Sequence, residues 1–464
     1  MLTRLRIRNF KAWKDTGAVR MAPLTVLFGA NSAGKSSLGH LLLALKQTAS
    51  SSDRRRALHT GDDASLVDLG GFVESLHGRD PNVPLEFLLD WRLDAPMRVS
   101  NPLVDGETYV GDHLRLSSDL VAAPDGQPVV RRLEYALLDG VSEPSQVTLH
   151  VTLTQDAQGE VTLRSAPYTL ETAPGRTWPL EAPEKFYRLS DRSLARYRNA
   201  DFLADFALDV ERQFAALSHL GPLREAPRRL YGWLGNTPED VGVRGEYAIA
   251  CLLAADAEQR VLRRAPGATA EPFAEFIAHW LEDLGVIERF DVRPTAPGRR
   301  EYEVRVKTLG GLTDVALPDV GFGVSQVLPA LVQAFYCAPG STVWMEQPEI
   351  HLHPEVQAKL ADVFISAVHA EENDRARNVQ LVVETHSEHF LNRLQRRIAE
   401  EAIAPEDVAV YFARPGADGA QLEELVVNEY GDIVNWPHNF FGDEMGELVA
   451  RTEAASPRRG KGGA

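Results

Sequence analysis

The sequence predicts an α/β fold built around a phosphate-binding loop, and three observations carry that prediction. First, a hydrophobic strand, Leu24-Thr25-Val26-Leu27-Phe28, runs into a glycine-rich turn, followed by Leu38, Leu41, Leu42 and Leu45 at helical spacing. Second, strand and helix patterns alternate over the last third of the chain: strand 342–346, helix 354–370, strand 379–384, helix 386–399 and strand 408–413. Third, the two ends are separated by short alternating strands over about 84–172 and then by a mainly helical stretch over 184–290. The expected architecture is a P-loop α/β head assembled from both ends of the chain, with an antiparallel β arm and an inserted helical lobe. Its boundaries fall at 1–83 for the first part of the head, 84–183 for the arm, 184–300 for the lobe and 301–454 for the second part of the head. The small, basic tail 455–464 is expected to be disordered.

Taken in order, Leu5 and Ile7 alternate with Arg4, Arg6 and Arg8, which reads as an edge strand. The helix after the glycine-rich turn is expected from Lys35 to about Gln47, with a polar loop over 49–65. In the arm, Leu85-Glu86-Phe87-Leu88-Leu89 and Val161-Thr162-Leu163 are strand-like, and Pro124-Asp125-Gly126 marks a turn. A strand over 301–308 leads into a glycine-rich turn and a helix around 319–336. Neither a repeat of 20–50 residues nor a sustained heptad pattern is present.

Composition narrows the class. At about 150 residues per domain, 464 residues give two to four lobes, and 44% hydrophobic residues suffice for a real core. Cys251 and Cys337 are the two cysteines, too few for a disulfide framework or a zinc cluster, which points to a reducing, cytosolic compartment. The N-terminus has basic residues without an apolar core, so it does not read as a secretion signal. No stretch approaches the roughly 20 apolar residues of a bilayer span, so no membrane association is expected. The net charge of −17 argues against a constitutive nucleic-acid coat. A local groove remains open through Arg54-Arg55-Arg56, through Arg224, Arg228 and Arg229, through 393–397, or through 458–461.

The chemistry starts at Gly29-Ala30-Asn31-Ser32-Ala33-Gly34-Lys35-Ser36, a complete GxxxxGK[ST] placed between a strand and a helix. Loop amides and the helix N-terminus suit phosphates, Lys35 reaches the β- and γ-phosphates, and Ser36 holds Mg²⁺. Ser37 continues the same turn. ATP and Mg²⁺ are the expected ligands. The acidic partner is the strand Thr342-Val343-Trp344-Met345-Glu346, where Glu346 binds Mg²⁺ through water. It continues as Gln347-Pro348-Glu349-Ile350-His351-Leu352-His353-Pro354. Glu349, His351 and His353 lie on one side only if that stretch is extended; on a turn they scatter, which weakens a zinc reading.

The motif EQPEIHLHP on a strand, the P-loop near LRIRNFK and the late ETHSEHF resemble the ABC-type ATPases of the SMC, RecF and overcoming-lysogenization-defect group. Such chains are often labelled AAA family ATPases. SHLGPLREAPRR (218–229) and WPHNFFGDE (436–444) also resemble a bacterial subfamily of unassigned function. The resemblance implies an ABC-type head. Glu346 matches the Walker-B acid, and the segment 319–326 matches the signature loop, with Gly323, Ser325 and Gln326 facing the nucleotide of an opposite protomer. Residues 350–353 match the D-loop and His386 the switch histidine. Residues 68–80 lie where a Q-loop couples nucleotide to the helical lobe, but no glutamine stands there.

One departure bears on mechanism. The ABC pattern has a catalytic glutamate after the Walker-B acid, and this chain has Gln347. A carboxylate accepts the proton of the attacking water, whereas an amide only orients it. Slow hydrolysis and a long-lived ATP-bound homodimer with composite sites follow, unless Glu349 or His386 takes over as base. The interval from Lys35 to Glu346, 346 − 35 = 311 residues, lacks the heptads of an SMC coiled coil, so a compact head is expected. About fifty residues follow the last strand, and Asp432, Asp443, Glu444 and Glu447 there are too few for a Toprim nuclease. Any nuclease or toxin effector is then a separate protein. Two functional classes follow: an ATPase acting on DNA in repair or phage defence, and an ATP-stabilised scaffold controlling a partner without DNA.

Overall fold

The computed structural model describes residues 1–140, 146–156, 158–437, 449–451 and 454. The tail 455–464, the cluster 458–461 and Asp443, Glu444 and Glu447 lie outside the described residues, as does most of the 436–444 phrase. The first strand, β1 (Leu2–Phe10), leads through two short strands to β2 (Leu24–Gly29) and helix α1 (Lys35–Ser50). A meander follows: β3 (Leu85–Ser100), β4 (Thr108–Ala122), β5 (Pro128–Asp139), β6 (Gln146–Gln155) and β7 (Val161–Ala166). Then come α2 (Phe202–Ala215), β8 (Leu217–Leu220), α3 (Ala248–Ala257), α4 (Phe273–Asp283) and α5 (Phe322–Tyr336). The chain ends with β9 (Thr342–Glu346), α6 (Pro354–His369), β10 (Gln380–Glu384), α7 (Glu388–Ala399), β11 (Val408–Arg414) and β12 (Gln421–Leu425).

The central sheet runs in the order β8-β9-β10-β2-β11-β12, with every pair parallel up to β11 and β12 antiparallel at the edge. Both of its faces are covered, which is why β2, β9 and β10 read as unbroken apolar runs rather than as alternating strands. Val343 and Met345 enter one core with α3, α4, α5 and α6; Trp344, between them, enters the other with α1 and the meander. Alternation along a strand thus distributes one apolar run between two cores.

Two expectations are corrected here. Leu2–Phe10 is not an edge strand: it pairs with short strands Trp13–Asp15 and Val19–Arg20 on one side and with β3 on the other. The arm is therefore the distal part of one antiparallel sheet that begins with β1. The stretch 184–290 also contains more than helices. Its four-residue β8 lies in the parallel sheet beside β9, pairing Leu217 with Thr342 and Leu220 with Met345. Such a short strand leaves no periodic trace, and its partner lies more than a hundred residues downstream. Helix α1 also runs three residues beyond the expected Gln47. Among the described residues no helix is long and apolar enough to cross a membrane, and both cysteines are free and buried.

Candidate functional site

The phosphate loop turns on backbone that only glycine tolerates at its two ends. Gly29 has φ +139°, and a Cβ there would stand 2.0 Å from the Ala413 carbonyl oxygen of the neighbouring strand. Gly34 has φ +90° and caps α1 with no side-chain hydrogen bond. The helix therefore offers its first amides, with their partial positive charge, to an anion. Trp13 packs against Gly34 and donates its indole N–H to the Gly34 carbonyl at 3.0 Å, which fixes the loop to the β1 sheet. Ala30, Asn31 and Ser32 are exposed at the crest, Ala33 is buried beneath them, and Ser37 donates its amide to Gly34 O at 3.0 Å.

Lys35 is buried, and its ammonium donates to Gly29 O at 2.7 Å and Ala30 O at 3.0 Å. Burial holds its pKa below the usual lysine range, against the raising effect of Glu384, Glu349 and Glu346. His386 Nε2 lies 3.4 Å from that ammonium. His386 is exposed at the rim of the site, and its pKa is lowered by desolvation first and by the Lys35 charge second, which favours the neutral imidazole.

Two carboxyl groups close the site from β9 and β10. The strands pair in register, so Glu346 and Glu384 sit side by side at their C-terminal ends. Glu384 accepts the Ser36 hydroxyl at 2.7 Å and the Trp344 indole N–H at 2.7 Å, which occupies both its oxygens. Burial, and then the charge of Glu346, push its pKa up to about 8. Glu346 goes the other way. Burial alone would raise it, but the hydrogen bond with His219 at 2.9 Å and the neighbouring imidazoles bring it below the usual range. The two adjacent buried carboxyls are thus displaced in opposite directions. A close approach supports this pair: a Cβ on Gly39 of α1 would stand 2.6 Å from the Trp344 ring.

Sequence reasoning assigned no role to Glu384, His219 or the buried state of Arg224. His219 lies on β8, directly beside Trp344, and Arg224 follows four residues after the strand ends. Arg224 is 7% exposed and donates from Nη2 to the Glu346 carbonyl oxygen at 3.3 Å. Its Nε and Nη1 have no partner, nor does His219 Nδ1. Arg224 therefore does not belong with Arg228 and Arg229 on a surface. Those two pair with Glu225 and Asp319 and are largely exposed.

The remaining predicted residues fall around this centre. Gln347 is half-buried with φ +46°, and its amide donates to Glu384 O at 2.8 Å, tying the two strand ends together. Glu349 turns inward and accepts the His386 amide at 2.8 Å; burial raises its pKa. His351 and His353 are exposed, and His353 caps α6, so the three do not converge on one point. Gly323, Ser325 and Gln326 occupy the first turns of α5, where Ser325 and Gln326 are buried. Ser325 lines a separate cavity with Glu225, Tyr231, Leu317 and Pro329.

The uncapped helix, the buried lysine and the unpartnered arginine donors fit a nucleotide phosphate chain. Ser36 and Glu346 fit Mg²⁺, which takes oxygen ligands from one or two side chains, the phosphates and water. Residues 253–392 match the family described as "AAA domain, putative AbiEii toxin, Type IV TA system", a span that contains Glu346 and His386 but not the phosphate loop. Residues 403–450 match a family described as a protein of unknown function, DUF3696. No curated protein matches. Among solved structures, an SMC head bound to the C-terminal winged-helix domain of ScpA shares 12% identity over 92% of this chain and 98% of that one, with a TM-score of 0.41. An SMC head with an extended coiled coil, bound to the C-terminal domain of ScpA and derived from Pyrococcus furiosus, shares 11% over 92% and 96%, at 0.40. The SMC head domain from Thermotoga maritima shares 10% over 91% and 98%, at 0.37. The loop between β2 and α1 and the acidic end of β9 define a P-loop α/β fold, and residues 253–392 are similar to the AAA-domain family.

Proposed function

We propose that the chain is a slowly hydrolysing ATPase head that dimerises on ATP and acts as a nucleotide-gated switch on a separate partner. The observation that carries this reading is the convergence of Lys35, Ser36, Glu346, Glu384 and His386 on one buried centre, with an amide at Gln347. Lys35 and the α1 amides hold the phosphates, and the neutral His386 donates toward the terminal phosphate. Bound Mg²⁺, held by Ser36 and Glu346, supplies charge neutralisation. Gln347 orients the attacking water without removing its proton, so turnover is slow. Ser325 and Gln326 reach an opposing nucleotide only after α5 and its surroundings shift, which makes engagement itself a nucleotide-dependent event.

The partner is a nuclease or toxin in phage defence, or a repair protein; the AbiEii description of the family match supports the former. A second reading, a scaffold that does not touch DNA, has its own observation. Among the described residues, several arginines of these clusters pair with carboxylates of the same chain: Arg54 with Asp191, Arg56 with Asp53, Arg229 with Asp319, and Arg393 and Arg397 with Asp362. An arginine already paired releases fewer counterions on meeting a phosphate backbone. The discriminating experiment is ATP turnover and oligomeric state with Mg²⁺-ATP, with and without duplex DNA, for the wild type beside Lys35→Ala. Slow turnover and an ATP-dependent dimer, both lost in Lys35→Ala, are expected. Stimulation by DNA selects the first reading, and DNA-independent dimerisation selects the second. A wild type that binds no nucleotide removes both.

A further inference from the structure

We propose that Arg224 is the terminal-phosphate contact of this site, supplied in cis from beside the acidic strand, and that it passes the triphosphate state to helix α5. The inference rests on the nucleotide-gated reading above and adds the residue that senses the gate.

A guanidinium that is 7% exposed has left water, yet its only hydrogen bond is the 3.3 Å contact to the Glu346 carbonyl. Nε and Nη1 are buried without acceptors. Burying a cation this way is strongly unfavourable unless an anion completes it. Glu346 is engaged by His219 and Glu384 by Ser36 and Trp344, while Glu349 accepts the His386 amide through one oxygen and keeps its other oxygen buried without a hydrogen-bond partner. The charges of Glu346 and Glu349 act on Arg224, but neither carboxylate hydrogen-bonds its Nε or Nη1, and donors left open beside a phosphate loop suit a phosphate. Arginine suits that task through its planar fork of donors. Lys35 arrives from β2 and Arg224 from beyond β8, so the two cations flank the carboxyl pair of β9 and β10 from opposite sides of the sheet order.

The segment carrying Arg224 is strapped to the helical layer. Gly221 donates to Val243 O at 2.8 Å and Glu225 to Arg244 O at 2.8 Å. The turn so gripped packs on α5 at one point of close approach, where a Cβ on Gly245 would stand 2.5 Å from Pro329 and 3.9 Å from Arg224 Cδ. Gln333 of α5 accepts the Val241 amide at 3.0 Å. Movement of Arg224 toward a phosphate is therefore transmitted to the helix that bears Ser325 and Gln326.

The test compares ADP with the β,γ-imido analogue of ATP, each with Mg²⁺, by calorimetric titration of the full chain. Variants are Arg224→Gln, Arg224→Lys and, as a reference, Lys35→Ala. The expected result is that Arg224→Gln weakens binding of the triphosphate analogue about tenfold or more while ADP binding changes less than about twofold, with Arg224→Lys between. Dimerisation on the analogue is expected to fall in parallel, read by light scattering. Equal weakening of both nucleotides, or of neither, overturns the proposal, because a purely structural arginine has no preference for the third phosphate. Should Arg224→Gln not fold, Arg224→Lys decides on the same ratio. If Lys35→Ala binds like the wild type, the nucleotide reading itself fails and this inference with it.

Discussion

The nucleotide centre and the arginine clusters of the surface hold similar groups in opposite states. In the centre, Lys35, Arg224 and the Glu346–Glu384 pair are buried, and their donors are partly unfilled or their pKa values displaced. On the surface, Arg228, Arg229 and Arg396 each meet a carboxylate of their own chain. Charges that are satisfied say little about function, since exposed pairs contribute little to stability and arise readily. Charges that are buried and unsatisfied mark a place where something else is meant to bind.

That contrast can be broken at several points. The largest effect is expected from Lys35→Ala, which should abolish ATP binding by calorimetry while leaving the thermal unfolding midpoint within a few degrees. Gln347→Glu restores a proton acceptor beside the attacking water and should raise turnover by about 10²-fold or more. A fall in turnover would show that the amide is itself the working group. Glu384→Gln tests the carboxyl pair through pH. Glu384 keeps its proton in the folded chain up to about 8, whereas an ordinary glutamate loses it near 4.5, so the folded state binds the extra proton in that window and stability falls as pH rises through it. Thermal midpoints measured in EDTA should decline across this window for the wild type, and the slope should flatten in Glu384→Gln. The smallest effect is expected from Arg228→Gln with Arg229→Gln: ATP binding should not change. If duplex DNA binds at all, the salt slope of its affinity should stay the same, because each lost phosphate contact would lower that slope by about one.

The legible parts of the molecule were those whose meaning is local. The glycine-rich loop between strand and helix, the acidic strand end at Glu346 and the position of His386 after β10 each follow from a few adjacent residues. What escaped depends on register between distant segments. Glu384 stands one residue before Thr385, and only its pairing opposite Glu346 makes it part of the centre. Leu217–Leu220 is too short to show a period, and the reach of His219 to Glu346 follows from β8 lying beside β9. Arg224 shares a basic run with Arg228 and Arg229, and composition alone cannot separate a buried member from exposed ones. Ser325 and Gln326 could be placed at a helix start in the sequence, but their burial in α5 could not be inferred from it, because burial depends on tertiary packing rather than on any local pattern.

Trp13 carries one further consequence. By bonding to Gly34 from a strand paired with β1, it joins the phosphate loop to the antiparallel sheet rather than leaving it a free surface turn. The backbone amides around Gly34 should then exchange with solvent deuterium only through openings that also disturb β1 and its neighbours. In hydrogen-exchange terms, the loop and the meander belong to one cooperative unit, and a ligand gripping either one slows exchange in both.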